Sequence, residues 1–340
     1  MNKVGAISLW KSAIKESLLG QRGLVKRSTL WLPLALFMWS SFNDDLRAGF
    51  ILSLYLIVAV QSWGMACILV NDLSDIEEDS GAGKDRWISN LSGNQGISIV
   101  IIAFIVGLLS IIIATGDMGT IIFYIAGSIM GSLYSMEPVR FKERGILGLL
   151  VYSLSTGLIY VLVPWMIFKS GVTLLGLLFL AVMLDKWVNL HFHQIVDYQV
   201  DFHVGIRTYA ARAGIDLTRR SLRVVSLLAS LSMITTIVFI IFLFKQETVW
   251  WIIIAGTSIV VVSAVGIYVK YLKEKSEDVS DLIRELPWLY LGLTYLLFRM
   301  LPPVIFTYLA IKEPIIWILA AISFLSLIAE SRYTIRYKYE

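Results

Sequence analysis

Residues 48–79 read AGFILSLYLIVAVQSWGMACILVNDLSDIEED, an apolar run without a charge from 48 to 70 that passes directly into Asn71, Asp72, Asp75 and Asp79. A helix of about 20 apolar residues crosses a hydrocarbon core of roughly 30 Å, so residues 48–70 read as a membrane span and the acidic cluster as its exit into water. Similar runs recur at 29–45, 97–115, 118–136, 146–168, 171–192, 222–244, 249–270, 286–310 and 313–330. The expected fold is an all-α integral membrane protein, a bundle of about nine to ten transmembrane helices around a cavity that faces the cytoplasm.

Composition agrees with a bilayer as solvent: 57% of the 340 residues are hydrophobic, 16% are charged, and mean hydropathy is +0.76. The net charge of +4 accompanies no compact basic domain and no base-stacking motif, so a nucleic-acid partner is not expected. Topology accounts for the excess. With a cytoplasmic N-terminus, most basic residues fall in cytoplasmic segments or, like Arg223, at the cytoplasmic edge of a span, leaving Arg47, Lys169, Lys245 and Lys312 on the opposite face and Lys186 and Arg299 within spans. Both termini and the acidic cluster are therefore expected on the cytoplasmic side of a multi-pass protein of the cell membrane. Ile7, Trp10, Ile14 and Leu18 recur at helical spacing with Lys11 and Lys15 off that stripe, which suits a helix lying in the interface. The expected organisation is a cytoplasmic segment carrying that helix at 1–28, one membrane domain at 29–330 and a basic tail at 331–340. The single Cys67 allows no internal disulfide, and with three histidines a zinc site is not expected.

If the helix of the second span continues, Asp72, Asp75 and Asp79 fall at i, i+3 and i+7, three carboxylates on one face. Two such charges about 4 Å apart repel by roughly 4 kcal/mol at an effective dielectric near 20, so the cluster implies a cation among its oxygens. Asp197 and Asp201 close the sixth span as an i, i+4 pair and invite the same inference. Carboxylate oxygens without clustered Cys or His suit a hard ion, and Mg2+ takes one or two carboxylates together with phosphate oxygens and water. A diphosphate ligand meets that demand. The loop after the fourth span, Tyr134 to Arg144, offers Arg140 as a bidentate phosphate donor and Lys142 as a point charge, although basic residues in such a loop also satisfy topology alone.

The sequence resembles the UbiA superfamily of intramembrane prenyltransferases. Residues Asn71 to Asp79 fit that family's N-D-x-x-D-x-x-x-D motif, and Asp197 and Asp201 fit its second aspartate motif. Gly205, Thr208 and Gly214 look like its trailing pattern, and Tyr134 to Lys142 is similar to its tyrosine-plus-basic loop. The resemblance implies that Asp72, Asp75, Asp79, Asp197 and Asp201 bind Mg2+ and through it a prenyl diphosphate. It further implies that Asn71, Tyr134, Arg140, Lys142, Lys84 and Arg86 help hold the diphosphate. The stretch from Lys84 to Asn90 lacks the family's arginine-proline pair, and a tenth span is an addition to the family's usual nine.

The implied reaction is transfer of an isoprenyl group to a lipophilic acceptor, aromatic ones included, with release of diphosphate. Cyclisation of the donor onto its own double bonds and transfer of a phosphorylated sugar to a prenyl phosphate stand as alternatives, and transport as a third class. Lys186, Asn189 and His193 fall with Asp197 within about 80° on a helical wheel, a polar stripe descending into the membrane. They are expected to line an acceptor or prenyl-chain cavity, against the plainer reading that Lys186 is paired internally. Arg299, the other intramembrane charge, is assigned no catalytic part.

Overall fold

The computed structural model describes residues 28–42, 44–76, 93–243 and 288–336 and is helical throughout. Asp79, Lys84, Arg86, the interfacial helix before residue 28 and the span at 249–270 lie outside the described residues. In chain order the helices are α1 Ser28–Phe42, α2 Leu46–Ser74, α3 Gly93–Thr115, α4 Met118–Leu133, α5 Ile146–Phe168 and α6 Val172–Val196. Two short helices follow, α7 Tyr198–Val204 and α8 Tyr209–Ala213, then α9 Ile215–Leu243, α10 Leu289–Lys312 and α11 Trp317–Arg336. Among the described residues, six helices are long and apolar enough to cross a membrane, and Thr29–Phe42, Met118–Leu133 and Pro314–Leu327 are shorter apolar ones.

Three boundaries move for physical reasons. The predicted span at 222–244 starts at Ile215, because Arg219, Arg220 and Arg223 occupy helical turns ahead of the apolar stretch. The span at 171–192 continues to Val196, carrying the polar residues His191 to Gln194 with it. Helix α11 runs on past 330 to Arg336.

Helix α1 is apolar all round, and such a helix is stable only where every face is covered. Leu30, Leu32, Leu34, Leu36 and Phe37 are fully buried. Around it the chain closes on itself: α2 packs on α3, α4 on α5, α5 on α6, α6 on α9, α9 on α10, and α10 and α2 both on α1. The outer faces are apolar too. Ile101, Ile105, Leu109 and Ile113 of α3 are exposed one turn apart, a face that suits lipid tails.

Hydrophobic burial gives little drive between helices in lipid, so close approach through small residues does more. Gly107 of α3 shows this: a Cβ there would lie 1.9 Å from the Tyr124 hydroxyl, which donates to the carbonyl of Ala59 at 3.0 Å. Helices α5 and α10 each contain a π turn, Leu158–Leu162 and Leu296–Met300, just ahead of Pro164 and of Pro302 with Pro303. A proline has no amide hydrogen for the carbonyl a turn before it, and the wider turn absorbs the mismatch.

The helix ends sort into two sets. At one end Ser40 pairs with Ser170 and Arg47 with Glu313 at 3.0 Å, joining α1 to the α5–α6 turn and α2 to α10. At the other end lie both aspartate motifs and the loop after α4, which makes that end the place to look for chemistry.

Candidate active site

Helix α2 does not continue through the first motif as the sequence reading assumed. It stops at Ser74, and Asp75 is its cap, with its amide still donating to the Asn71 carbonyl at 3.0 Å. Negative charge is disfavoured at a helix C-terminus, where carbonyls already point outward, so a run of aspartates breaks the helix at the point where cations can reach them. Asp72 and Asp75 are buried, 4% and 9% exposed.

The cations come from the loop after α4. Arg140 donates to Asp75 Oδ1 at 3.2 Å, and the Lys142 ammonium contacts the same oxygen. Arg140 also reaches Glu137 at 3.3 Å and Glu143 at 3.0 Å, so one guanidinium bridges three carboxylates. A carboxylate as deeply buried as Asp75 requires such partners, because an unpaired charge there costs several kcal/mol.

Backbone geometry delivers these side chains. Arg140 adopts the left-handed conformation with φ 40°, unusual for a residue with a side chain and costing of order 1 kcal/mol or more. A 3-10 turn at Phe141–Glu143 follows, and the Lys142 amide donates to the Tyr134 carbonyl at 2.8 Å. Gly148 leaves room for that turn: a Cβ at this position would lie 2.5 Å from the Phe141 carbonyl oxygen. Ser135 closes the loop against the first motif by donating to Asn71 Oδ1 at 2.7 Å.

The second motif is built as a break between helices. The Asp197 amide donates to the His193 carbonyl at 2.9 Å, ending α6, and the Asp201 amide donates to the Asp197 carbonyl at 2.8 Å within α7. Gly205, with φ 79°, stops α7 in a conformation that side chains resist. Thr208 then donates to Asp201 Oδ2 at 3.1 Å and accepts from the Ala211 amide, capping α8 while it orients the carboxylate.

Tyr134 connects the two motifs. Its phenol lies close enough to both Asp75 and Asp201 to feel their charge, beside Tyr152 and the Gln194 carboxamide. Its ring meets that of Tyr152 at 5.6 Å between centroids. Residues far apart in sequence on α2, α4, α6 and α7 thus share one end of the bundle. Among the described residues no three carboxylate or imidazole side chains already surround a single point as ion ligands. The donor set is nevertheless all hard oxygen, which fits Mg2+ and not a soft metal.

Sequence similarity gives this arrangement its context: residues 28–286 match the UbiA prenyltransferase family. The chain belongs to that family. No curated protein sequence matches it. Among solved structures, this UbiA-family prenyltransferase is similar to a UbiA homolog from Archaeoglobus fulgidus bound to GPP and Mg2+, with 13% identity and a TM-score of 0.55 over 89% of this chain and 96% of that one. The same homolog bound to DMAPP and Mg2+ gives 14% and 0.55, again over 89% and 96%. A structure of digeranylgeranylglyceryl phosphate synthase in membranes gives 16% and 0.54 over 83% and 96%. At these identities the likeness is one of fold.

Within this UbiA-family prenyltransferase the polar stripe on α6 has a different neighbour from the one expected. Lys186 donates to Thr29 Oγ1 at 2.6 Å and pairs with Asp185 at 3.3 Å, while Asn189 donates to Asp185 at 3.0 Å. The Tyr290 hydroxyl of α10 donates to the other Asp185 oxygen at 2.9 Å. His193 is exposed one turn before Asp197. Asp185, 1% exposed, escaped the sequence reading although it stands beside Lys186 in an apolar run. His191 also escaped it. Its Nε2 lies 2.9 Å from Ser221 Oγ and 3.3 Å from Trp187 Nε1, and its ring meets Tyr209, next to Thr208, at 5.1 Å. The i, i+4 spacing of Trp187 and His191 was the available signal.

Proposed function

We propose that the protein transfers an isoprenyl group from a prenyl diphosphate to a lipophilic acceptor, aromatic ones included, and releases diphosphate. The supporting observation is the position of Arg140 and Lys142, both held at Asp75 within the first motif. Asp72, Asp75, Asp79, Asp197 and Asp201 would hold Mg2+, which when bound neutralises charge growing on the departing diphosphate. Arg140 and Lys142 grip diphosphate oxygens, exchanging part of their hold on Asp75 for the incoming anion. Asn71 and Tyr134 belong to the same end, and Lys84 and Arg86 are the further diphosphate-binding residues that the family resemblance implies.

Farther along α6, the Asp185 network fixes Lys186 and Asn189 on the wall below this end, with His193 between them and Asp197. These three residues line the acceptor or prenyl-chain side. The reaction needs such a layout, because the hydrocarbon tail stays in the bilayer while its diphosphate meets ions at the edge. The distribution of lysine and arginine supports a cytoplasmic site in the cell membrane with both termini on that side.

The test is diphosphate release from labelled geranylgeranyl diphosphate by purified protein in lipid nanodiscs, with and without Mg2+. Asp72→Ala and Asp197→Ala should each abolish the Mg2+-dependent release while the protein remains folded in detergent. Near-normal release by either variant would remove that residue from the site.

A further inference from the structure

Three arginines stand together where α9 enters the membrane. The stretch 224–243 carries no charge and, at 1.5 Å per residue, is about 30 Å long, the thickness of a hydrocarbon core. Arg219, Arg220 and Arg223 therefore occupy the turns just outside it, at the level of phospholipid headgroups. On a helical wheel Arg220 and Arg223 share the face of Val224, Leu227 and Leu231, all exposed, and Arg219 stands beside Arg223. Spacings of i, i+4 between Arg219 and Arg223 and i, i+3 between Arg220 and Arg223 set like charges against each other, a repulsion that a shared anion relieves. Asp216, exposed a turn earlier, leaves the cluster positive. Among the described residues the buried Nε of Arg219 has no hydrogen-bond partner. The residue type matters as well: no lysine lies between Lys186 and Lys245. Membrane topology is satisfied by either basic residue, whereas bidentate grip on a phosphate needs a guanidinium.

We propose that Arg219, Arg220 and Arg223 form a binding site for an anionic phospholipid of the leaflet on the side of the aspartate motifs. Its phosphodiester lies among the guanidinium groups and its acyl chains run along Val224, Leu227 and Leu231. The site is separate from the one proposed for the prenyl diphosphate and does not depend on that reading. A lipid fits better than a free phosphate, because the apolar face continues directly from the arginines into the bilayer. A zwitterionic headgroup fits less well than an anionic one, since it brings a cation back to the cluster. The bound lipid sits against the helix whose Ser221 Oγ lies 2.9 Å from His191 Nε2, so it braces the contact between α9 and α6 behind the second motif. A ligand that binds only the folded chain raises its stability, and that gives the site a second readout besides binding.

The experiment titrates the delipidated full chain in detergent with dioleoyl phosphatidylglycerol or dioleoyl phosphatidylcholine, reading bound lipid by native mass spectrometry and stability by thermal unfolding. Phosphatidylglycerol should bind about tenfold or more tightly than phosphatidylcholine and raise the unfolding temperature. In the triple variant Arg219→Gln, Arg220→Gln, Arg223→Gln that preference should fall to about twofold or less, with affinity for geranylgeranyl diphosphate unchanged. Removing the basic residues of the C-terminal tail, by Arg332→Gln, Arg336→Gln and Lys338→Gln, should leave the preference at its wild-type value. If the triple variant fails to fold, Arg220→Gln alone, at an exposed position, should weaken phosphatidylglycerol binding about fivefold. Inorganic phosphate in large excess should leave the lipid bound. Equal affinity for the two lipids overturns the proposal, as does an unchanged preference in the triple variant or, in its place, in Arg220→Gln. An equal loss in the tail variant overturns it in favour of diffuse attraction. Displacement by inorganic phosphate would make this a free-anion site, and a parallel loss of geranylgeranyl diphosphate binding would assign the arginines to the donor; either result overturns it.

Discussion

Ser135 donates its hydroxyl to Asn71 Oδ1 at 2.7 Å, and this bond joins the Arg140 and Lys142 contacts in tying their loop to the end of α2. Ser135 is 2% exposed, and Ser135→Ala leaves the half-buried Asn71 carboxamide oxygen without this partner. The expected cost is about 1–3 kcal/mol, shared between stability and site geometry. Steady-state kinetics should show a donor KM raised several-fold in Ser135→Ala and restored in Ser135→Thr, which keeps the hydroxyl.

Gly148→Ala should damage the site without touching any charged group. The added Cβ would stand 2.5 Å from the Phe141 carbonyl oxygen and 3.2 Å from Lys142 Cα, and both are backbone atoms that cannot swing aside. The 3-10 turn must shift, taking the Lys142 ammonium with it, and misplacement of a positioning group by about 1 Å can cost a factor on the order of a hundred. Donor turnover is the measurement. Because both changes act through Lys142, the double variant Gly148→Ala with Lys142→Ala should be little worse than Lys142→Ala alone.

Much of this was written in the sequence, and the exceptions have physical causes. Among the described residues, apolar runs located six helices long enough to span and three shorter ones, at 29–42, 118–133 and 314–327, because a membrane helix satisfies its own backbone and announces itself by length. The runs said nothing of α1 as the buried centre, since a wholly apolar helix looks alike whether lipid or protein covers it. Aspartate spacing located both motifs, but the helical wheel for Asp72, Asp75 and Asp79 presumed a helix that ends at Ser74. The partners of Asp75 at that end, Arg140 and Lys142, lie some 65 residues away, and periodicity cannot bring them near. Asp185 was hidden for the same reason: its significance lies in Tyr290 on another helix.

The Asp185 network predicts an asymmetry between single and paired substitutions. Asp185→Ala leaves the Lys186 ammonium without its carboxylate inside the membrane, and breaking a buried pair in this way typically costs about 3–5 kcal/mol. Removing both charges in Asp185→Leu with Lys186→Met should recover most of that loss, because neither desolvated charge remains. Thermal unfolding in detergent reads the difference. Lys186→Met also tests the lining role, since an unchanged acceptor KM with full activity would take Lys186 out of the substrate path.

Thr208 offers the most direct handle on metal binding that leaves every proposed ligand in place. Its hydroxyl donates to Asp201 Oδ2 at 3.1 Å, and its neighbour Tyr209 is held by the His191 ring, itself bonded to Ser221. Asp201 is therefore aimed by a chain of contacts running back into α6 and α9. Residues that orient a ligand typically change metal affinity by about 10–100-fold when removed. Thr208→Val keeps the shape and deletes the donor, so the Mg2+ concentration for half-maximal activity should rise about tenfold, with activity largely recovered at high Mg2+. Thr208→Ser should return the titration to the wild-type position. An unchanged Mg2+ titration in Thr208→Val would mean that Asp201 needs no such orientation and would weaken its assignment as a ligand.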